Sequence, residues 1–313
     1  MPPAAVVVLN PRAGGGRAGR LWQEVEPEVR RRLGPYTLVT AGRPALDEEL
    51  RLAVRQGTRD FVAAGGDGTV NLLLEALLAG TDESVLPCLR LGAIGFGSSN
   101  DFHKPDEAEP TVRGVPLKLE GAGARLHDVG RLRYVDEAGD ERVRHWIINA
   151  SIGTTAEANR LFNHPNVVLR VLKRVSPWRG IIYAAVREIV EYRCRPMVLT
   201  VDQERPVTFV VKNLGIVKNP HFSGDLCYDS PYEPGSGYFH VHLLEQVSPL
   251  RLASTVWGLL HARFIGTKGT RSWRARHVEV VADRPFPVEF DGETVLARRA
   301  TFDVLPRLIQ VCR

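Results

Sequence analysis

The densest concentration of chemistry in the sequence is Gly65-Gly66-Asp67-Gly68-Thr69. It stands between an apolar run, Phe61–Ala64, and an amphipathic segment, Val70–Leu78. Glycines at a strand-to-helix turn let backbone N–H groups approach a polyphosphate with no Cβ in the way. The helix N-terminus then adds its partial positive charge. Asp67 supplies a carboxylate able to hold Mg²⁺ against such phosphates, and Thr69 can cap the helix. An ordinary glycine-rich turn with an Asp or Thr cap would use the same residues. The strand-to-helix context and the rarity of the five-residue string favour phosphate.

Two further glycine-bearing loops follow apolar runs. Asn10-Pro11-Arg12-Ala13-Gly14-Gly15-Gly16-Arg17 comes after Ala4–Leu9, with Arg12, Arg17 and Arg20 available as phosphate counter-charge. Gly95-Phe96-Gly97-Ser98-Ser99-Asn100-Asp101-Phe102 ends the run Leu91–Phe96. Each alone reads equally well as a polar turn. With the Asp67 loop they make three flexible turns expected on one sheet edge.

These loops need a scaffold, and the first third of the chain supplies an alternation of strand and helix. Ala4–Leu9, Tyr36–Thr40, Asp60–Ala64 and Leu91–Phe96 read as strands. Arg20–Leu33, Leu46–Arg55 and Val70–Leu78 read as helices. Such alternation predicts a parallel sheet with helices on both faces and ligands at the carboxyl ends of its strands. After about Lys104 the character changes. Asp106–Pro110 is acidic and Pro-bounded, and short β-like runs follow at Gly130–Tyr134, Val143–Ile148, Met197–Val201, Val207–Val211, Tyr238–Leu243, His277–Val281 and Val288–Phe290. Glycine and proline punctuate them, which predicts an antiparallel sandwich or barrel. Helices are expected at Ile181–Tyr192 and from Ser248-Pro249, an N-cap followed by Pro at the first helical position.

Bulk composition bounds the class. The 313 residues carry 41 Lys+Arg and 36 Asp+Glu, a formal charge of +5, with 44% hydrophobic and 25% charged residues. That balance belongs to a globular chain of about two domains. No apolar run reaches the roughly 18 residues of a membrane span. The opening MPPAAVVVLNPRAGGG has too short an apolar run and no basic region before it to be a signal peptide. Cys88, Cys194, Cys227 and Cys312 are scattered, so a disulfide framework or zinc site is not expected and a reducing cytoplasm is the simplest setting. The nine histidines lack an HExxH-like spacing and read as structural or surface residues. Mild basicity fits either an Arg-rich solvated surface or attraction to phosphate.

The GGDGT string, the NPRAGGGR opening and the GSSNDF loop, together with a late Asp291-Gly292-Glu293, resemble the diacylglycerol kinase catalytic domain superfamily. That group includes bacterial diacylglycerol and related lipid kinases, and sphingosine and ceramide kinases. The resemblance spans essentially the whole chain and is most specific in its first 104 residues. It implies an NAD-kinase-like α/β domain over residues 1–125, to which 302–313 return. A β-rich lipid-substrate domain over 126–301 and an active cleft between the two are also implied. ATP contacts are implied at Asn10, Pro11, Arg12, Ala13, Gly14 and Arg17. Others are implied at Thr40, at Gly65, Gly66, Asp67, Gly68, Thr69 and Asn71, and at Ser98 and Asn100. Asp67 would organise Mg²⁺ and phosphate beside Asp101, and Glu293 would be the general base. Asp291-Gly292 also reads as a hairpin turn, which would project Glu293. Ser98 replaces a usual threonine and keeps the hydroxyl.

The departures lie in the second half. The family's structural Mg²⁺ uses an Asp-Gly pair where this chain has Ser236-Gly237, and His240 stands where an acid is common. Asp225 and Asp229 are nearby carboxylates that could compensate. One basic, apolar and aromatic stretch, Val167–Arg179, holds Arg170, Lys173, Arg174, Trp178 and Arg179. It suits an anionic membrane surface, though a core helix with a solvated basic face has the same pattern. The expectation is therefore an ATP- and Mg²⁺-dependent lipid kinase, cytoplasmic and peripheral at the inner membrane face. No nucleic-acid partner is expected, and a homodimer is the assembly considered. The alternatives are an NAD kinase, which shares the GGDGT loop, and a nucleotide- or membrane-binding module whose catalysis has decayed.

Overall fold

A computed structural model describes residues 5–105, 111–163, 166, 168, 169, 183, 187 and 191–313. The helix expected at Ile181–Tyr192 and the basic stretch Val167–Arg179 lie largely outside the described residues. The chain divides into two compact units, Met1–Val129 with Pro306–Arg313, and Gly130–Leu305.

The first unit is mixed α/β. Strands β1 (Ala5–Leu9), β2 (Tyr36–Thr40), β3 (Asp60–Gly65) and β4 (Arg90–Gly95) run parallel in the order β2–β1–β3–β4. β1 is buried along its whole length, as a continuous Val run in a sheet covered on both faces requires. The register pairs Leu9 with both Thr40 and Ala64, and Gly65 with Gly95. The strands therefore end level, which brings the loops after Leu9, Gly65 and Gly95 to one edge. A single turn, α1 (Ala13–Gly16), leads into α2 (Ala18–Leu33), whose Trp22, Val25 and Val29 are buried at helical spacing. Next come α3 (Leu46–Arg55) and α4 (Asp67–Gly80); Leu73, Leu74 and Leu77 of α4 are fully buried. β5 (Thr111–Val112) pairs with β6 (Val115–Lys118), which runs antiparallel to β4 at Ala93 and Ile94.

The second unit is β-rich. β7 (Arg125–Val135) and β8 (Glu141–Trp146) form a hairpin. A Cβ on Gly130 would fall 2.0 Å from the Trp146 ring, so this position needs glycine for the indole to lie flat on the strand. β9 (Asn149–Gly153), β10 (Arg195–Val201), β11 (Val207–Val217) and β16 (His277–Phe290) close a four-strand ring. β10 pairs with β11 and β16, and β9 pairs with the same two. Two strands turn the corners. The first half of β11 faces β10 and, past a register shift at Val211/Asn213, its second half faces β9. β16 switches in the same way across the shift between Val281 and Phe286. Inside the ring lie Ile152, Leu199, Leu214, Val280 and Val288. Outer strands are the short pair β12 (His221–Phe222) and β13 (Leu226–Cys227), then β14 (Phe239–Glu245) and β15 (Thr270–Ala275). The long β17 (Glu293–Val311) pairs along β16, and its last residues belong to the first unit, beside Arg90 and Leu91 of β4. Helices α5 (Thr154–Asn163) and α6 (Pro249–Leu259) also lie in this unit, with Ser248 capping α6 as its sequence predicts.

Candidate functional site

Three backbone turns meet at the level strand ends of the first unit. Asn10, one residue past β1, is fixed by its own N–H to Ala64 O at 2.9 Å. Its Nδ2 donates to Thr69 Oγ1 at 3.1 Å, and its Oδ1 accepts Arg12 N–H at 3.1 Å. Thr69 thus ties the first loop to α4 instead of capping the helix, whose N-cap is Gly66 in extended conformation. Asp67 follows as the first helical residue. Its Oδ2 accepts Asp101 N–H and its Oδ1 accepts Phe102 N–H, each at 3.1 Å. The carboxylate therefore clamps the third loop at the positive end of α4, where a negative charge is favoured.

The third loop is shaped from within. Asn100 adopts left-handed backbone, φ 50, and its side chain bridges back to Gly97 N–H at 2.8 Å and Gly95 O at 3.2 Å. A Cβ on Gly97 would stand 2.7 Å from Gly66 Cα, so the two turns pass backbone to backbone. That close approach sets two glycine turns side by side at the N-terminus of α4, a kind of surface that suits a phosphate. Asp101 is buried and ion-paired to Lys104 at 2.6 Å. Ser98, Pro11, Arg12, Arg17 and Arg20 are exposed along the rim, as is Thr40 at the end of β2. Arg17 donates to Gly14 O at 3.0 Å, which orders the first loop and holds a cation there. Asn71 is buried within α4.

Sequence reasoning missed two lysines. Lys118, fully buried on β6, donates to Phe102 O at 3.3 Å and lies 5.2 Å from the Phe102 ring centre. Lys104 neutralises Asp101. A lysine between Leu117 and Leu119 was the available signal, since a cation in an apolar run is retained only where it finds partners.

In the second unit, Asp291 and Gly292 form a two-residue hairpin, both with positive φ, 45 and 89. The Asp291 carboxylate is buried and accepts N–H groups from Ile147 at 2.8 Å, Ile148 at 2.9 Å and Asn149 at 3.2 Å. Glu289, also buried, accepts Ser151 Oγ–H at 2.6 Å and Gly292 N–H at 2.9 Å. Two acids therefore hold the turn and Glu293 is the exposed one.

The metal implied by the resemblance fares differently at its two places. Among the described residues no group of three or more His, Cys, Asp or Glu gathers as a metal site. At the nucleotide loops this is compatible with Mg²⁺, which commonly takes one carboxylate plus substrate phosphates and water. Asp67 offers the remaining lone pairs of its two oxygens. In the second unit the residues do not fit. Asp229 is turned onto the Phe264–Ile265 backbone, with both lone pairs of Oδ1 and one of Oδ2 taken by its N–H groups, Asp225 is exposed, and position 236 is a serine. Burial pushes the His240 pKa below its ordinary value, so that ring is no substitute for an acid.

Comparison with known proteins agrees over both units. The diacylglycerol kinase catalytic domain matches residues 4–131, and the YegS C-terminal NAD kinase beta sandwich-like domain matches residues 149–313. A Pectobacterium atrosepticum protein described as a "probable lipid kinase YegS-like" is 26% identical over 325 residues, covering 99% of this chain and 96% of its own. A Yersinia enterocolitica protein of the same description is 24% identical over 262 residues, covering 81% and 78%. A crystal structure of a diacylglycerol kinase from Bacillus anthracis str. Sterne aligns over 99% of this chain and 96% of that one. Its TM-score is 0.64 at 11% identity, a likeness of fold.

Proposed function

The chain belongs to the superfamily of YegS-like lipid kinases built on the diacylglycerol kinase catalytic domain, and on that premise we propose that it transfers the γ-phosphoryl group of ATP to the hydroxyl of a diacylglycerol-like lipid. The observation that carries this reading is the interlocking of the three loops at one strand edge through Asn10, Asp67, Thr69 and Asn100.

In this reading the first unit, with the returning C-terminal strand, holds the nucleotide, and the second receives the lipid. The N–H groups of Gly66–Gly68 and of Ser98–Asn100 cradle the phosphates, while those of Thr69 and Gly97 are held by Gly66 O and Asn100 Oδ1, and Arg12 and Arg17 neutralise the phosphate charge. Asn10 and Asn100 keep the turns in place. Mg²⁺, when bound, neutralises charge on the transferring phosphates, and Asp67 is the residue that would hold it. Preorganised positive groups of this kind do most of the work in phosphoryl transfer. Glu293 accepts the proton of the lipid hydroxyl as the new O–P bond forms, a role suited to an exposed carboxylate on a rigid turn.

A lipid acceptor requires contact with a membrane surface. Leu250, Trp257 and Leu260 are exposed on one side of α6 and its end, with exposed Arg251 beside them. Apolar anchors bordered by a cation suit an anionic bilayer. No helix among the described residues is long and apolar enough to cross a membrane.

The test is a labelled-ATP assay against a panel of lipids, with NAD included. Label in a lipid that depends on Asp67 supports the reading. Label in NAD alone would establish the NAD-kinase alternative, and ATP binding with no acceptor labelled would leave a decayed binding module.

A further inference from the structure

Lys218 lies near the end of β11 and is only 5% exposed. Its Nζ donates to Glu233 O at 2.9 Å and to Tyr238 O at 2.5 Å, and stands 3.4 Å from Ser236 Oγ. Three oxygens of the Glu233–Tyr238 turn therefore converge on one ammonium. An ammonium has three donors and no acceptor, so this turn can satisfy it completely. Burying a cation away from such acceptors is costly, and lysines are rarely buried unless paired.

This turn is the segment where the resemblance places a structural Mg²⁺, held with the help of an acid at position 236. We infer that the Lys218 ammonium is the resident cation of the Glu233–Tyr238 turn, so that the second unit holds this turn without a divalent metal. Two changes of opposite sign meet here. A divalent ion against one carboxylate and an ammonium against one hydroxyl leave the same single positive charge. The geometry also excludes both cations together. Mg²⁺ needs oxygens at about 2.0–2.1 Å in near-octahedral array, whereas these oxygens are spaced around a nitrogen at hydrogen-bond distance. The one carboxylate of the turn, Glu233, has its charge balanced by Arg274 at 3.0 Å. The inference does not depend on which acceptor the enzyme phosphorylates.

Thermal unfolding of the nucleotide-free full chain in EDTA and in a Mg²⁺ titration tests it. The wild type should show no Mg²⁺-dependent stabilisation that involves this turn. Lys218→Met should unfold at lower temperature. Combining Lys218→Met with Ser236→Asp should open a metal site, giving a saturable rise in Tm with Mg²⁺. Stabilisation worth a tenfold change in equilibrium moves Tm on the order of 3–6 °C for a unit of this size. If the double variant folds only with Mg²⁺, that is the same result in stronger form. If it folds in neither condition, the wild type decides. A saturable Mg²⁺ shift that Ser236→Ala diminishes would overturn the inference, because metal would then occupy the turn beside Lys218. A shift untouched by Ser236→Ala arises at another site and leaves the inference standing. Unchanged stability in Lys218→Met, in EDTA, would also overturn it.

Discussion

Asp67→Asn separates two roles that one carboxylate holds. From the sequence this residue is a metal-facing charge on a surface turn, whose replacement would spare the fold. In the structure it is half-buried and accepts the N–H groups of Asp101 and Phe102 on different oxygens. Asparagine keeps one acceptor but turns an amide N–H₂ toward the other backbone N–H, so donor faces donor. Hydrogen bonds to a charged acceptor contribute about 1.5–3 kcal/mol, and an N–H left without a partner costs a further share. With the group partly exposed to solvent, a net loss of about 2 kcal/mol is expected. At about 2–4 °C per kcal/mol that lowers Tm by about 4–8 °C. The assay is thermal unfolding without nucleotide, so that weaker ATP binding does not enter the measurement, followed by ATP affinity and turnover. Both should fall, since the Asp101–Phe102 backbone moves away from the Gly66 turn. Abolished turnover with unchanged nucleotide-free stability would refute the clamp and leave a purely phosphate-facing acid. Unchanged turnover would sink the proposed phosphate site itself.

Glu293→Gln keeps shape and hydrogen bonding while removing the basic site. Turnover should fall at least about a hundredfold with ATP affinity nearly constant, and a near-normal rate would make Glu293 a turn residue only. Asp291→Ala strips the acceptor from three buried N–H groups, so urea unfolding should register a loss of about 3 kcal/mol or more. His242 is buried between Tyr228 and Phe264 with its ring nitrogens on Ser230 and Ser272, and burial lowers its pKa to about 3. Because the unfolded chain binds this proton more readily, stability is full above about pH 6.5 and declines toward pH 3. The slope reaches about 1.4 kcal/mol per pH unit, and His242→Gln should flatten that part of a pH series of unfolding curves. Leu250→Ser with Trp257→Ser should weaken sedimentation with anionic vesicles; equal binding by the variant would remove α6 from the membrane contact.

The first unit was legible because its apolar runs admit one reading. Leu46–Arg55 matches its helix, and the described part of Ala4–Leu9 is β1. The second unit was legible in class and in strands such as β10, β11 and β14, but not in how its strands connect. His277–Val281 and Val288–Phe290 read as separate strands, and they are the two arms of β16 on either side of a register shift. Asn149–Gly153 escaped notice because Asn-Ala-Ser-Ile-Gly lacks the β-branched signature. It is a buried strand because Glu289 and Asp291, about 140 positions away, satisfy its Ser151 hydroxyl and Asn149 N–H. Thr154–Asn163, which begins at once after that strand, was missed with it. At the candidate site the loops were visible as glycines and polar residues, but their linkages were not. Local pattern does not reveal that Thr69 serves Asn10, or that Asp67 serves Asp101 and Phe102, since these partners are 34 to 59 positions apart.

The return of Pro306–Arg313 to the first unit has a consequence for synthesis of the chain. Gln310 and Val311 complete the outer edge of β4, with Gln310 N–H on Leu89 O and Cys312 N–H on Leu91 O. Arg307 N–H reaches Asp128, and Arg313 exchanges both backbone bonds with Glu120. Ile309, Val311 and Cys312 are buried there. On the ribosome, then, most of the first unit emerges first yet waits until residues 306–313 have been made before its sheet edge closes. During that interval an unpaired β4 edge is open to wrong partners, as unpaired edges are. A nascent chain arrested before residue 306 should therefore be protease-sensitive at β4 although every loop of the GGDGT cluster has already been made.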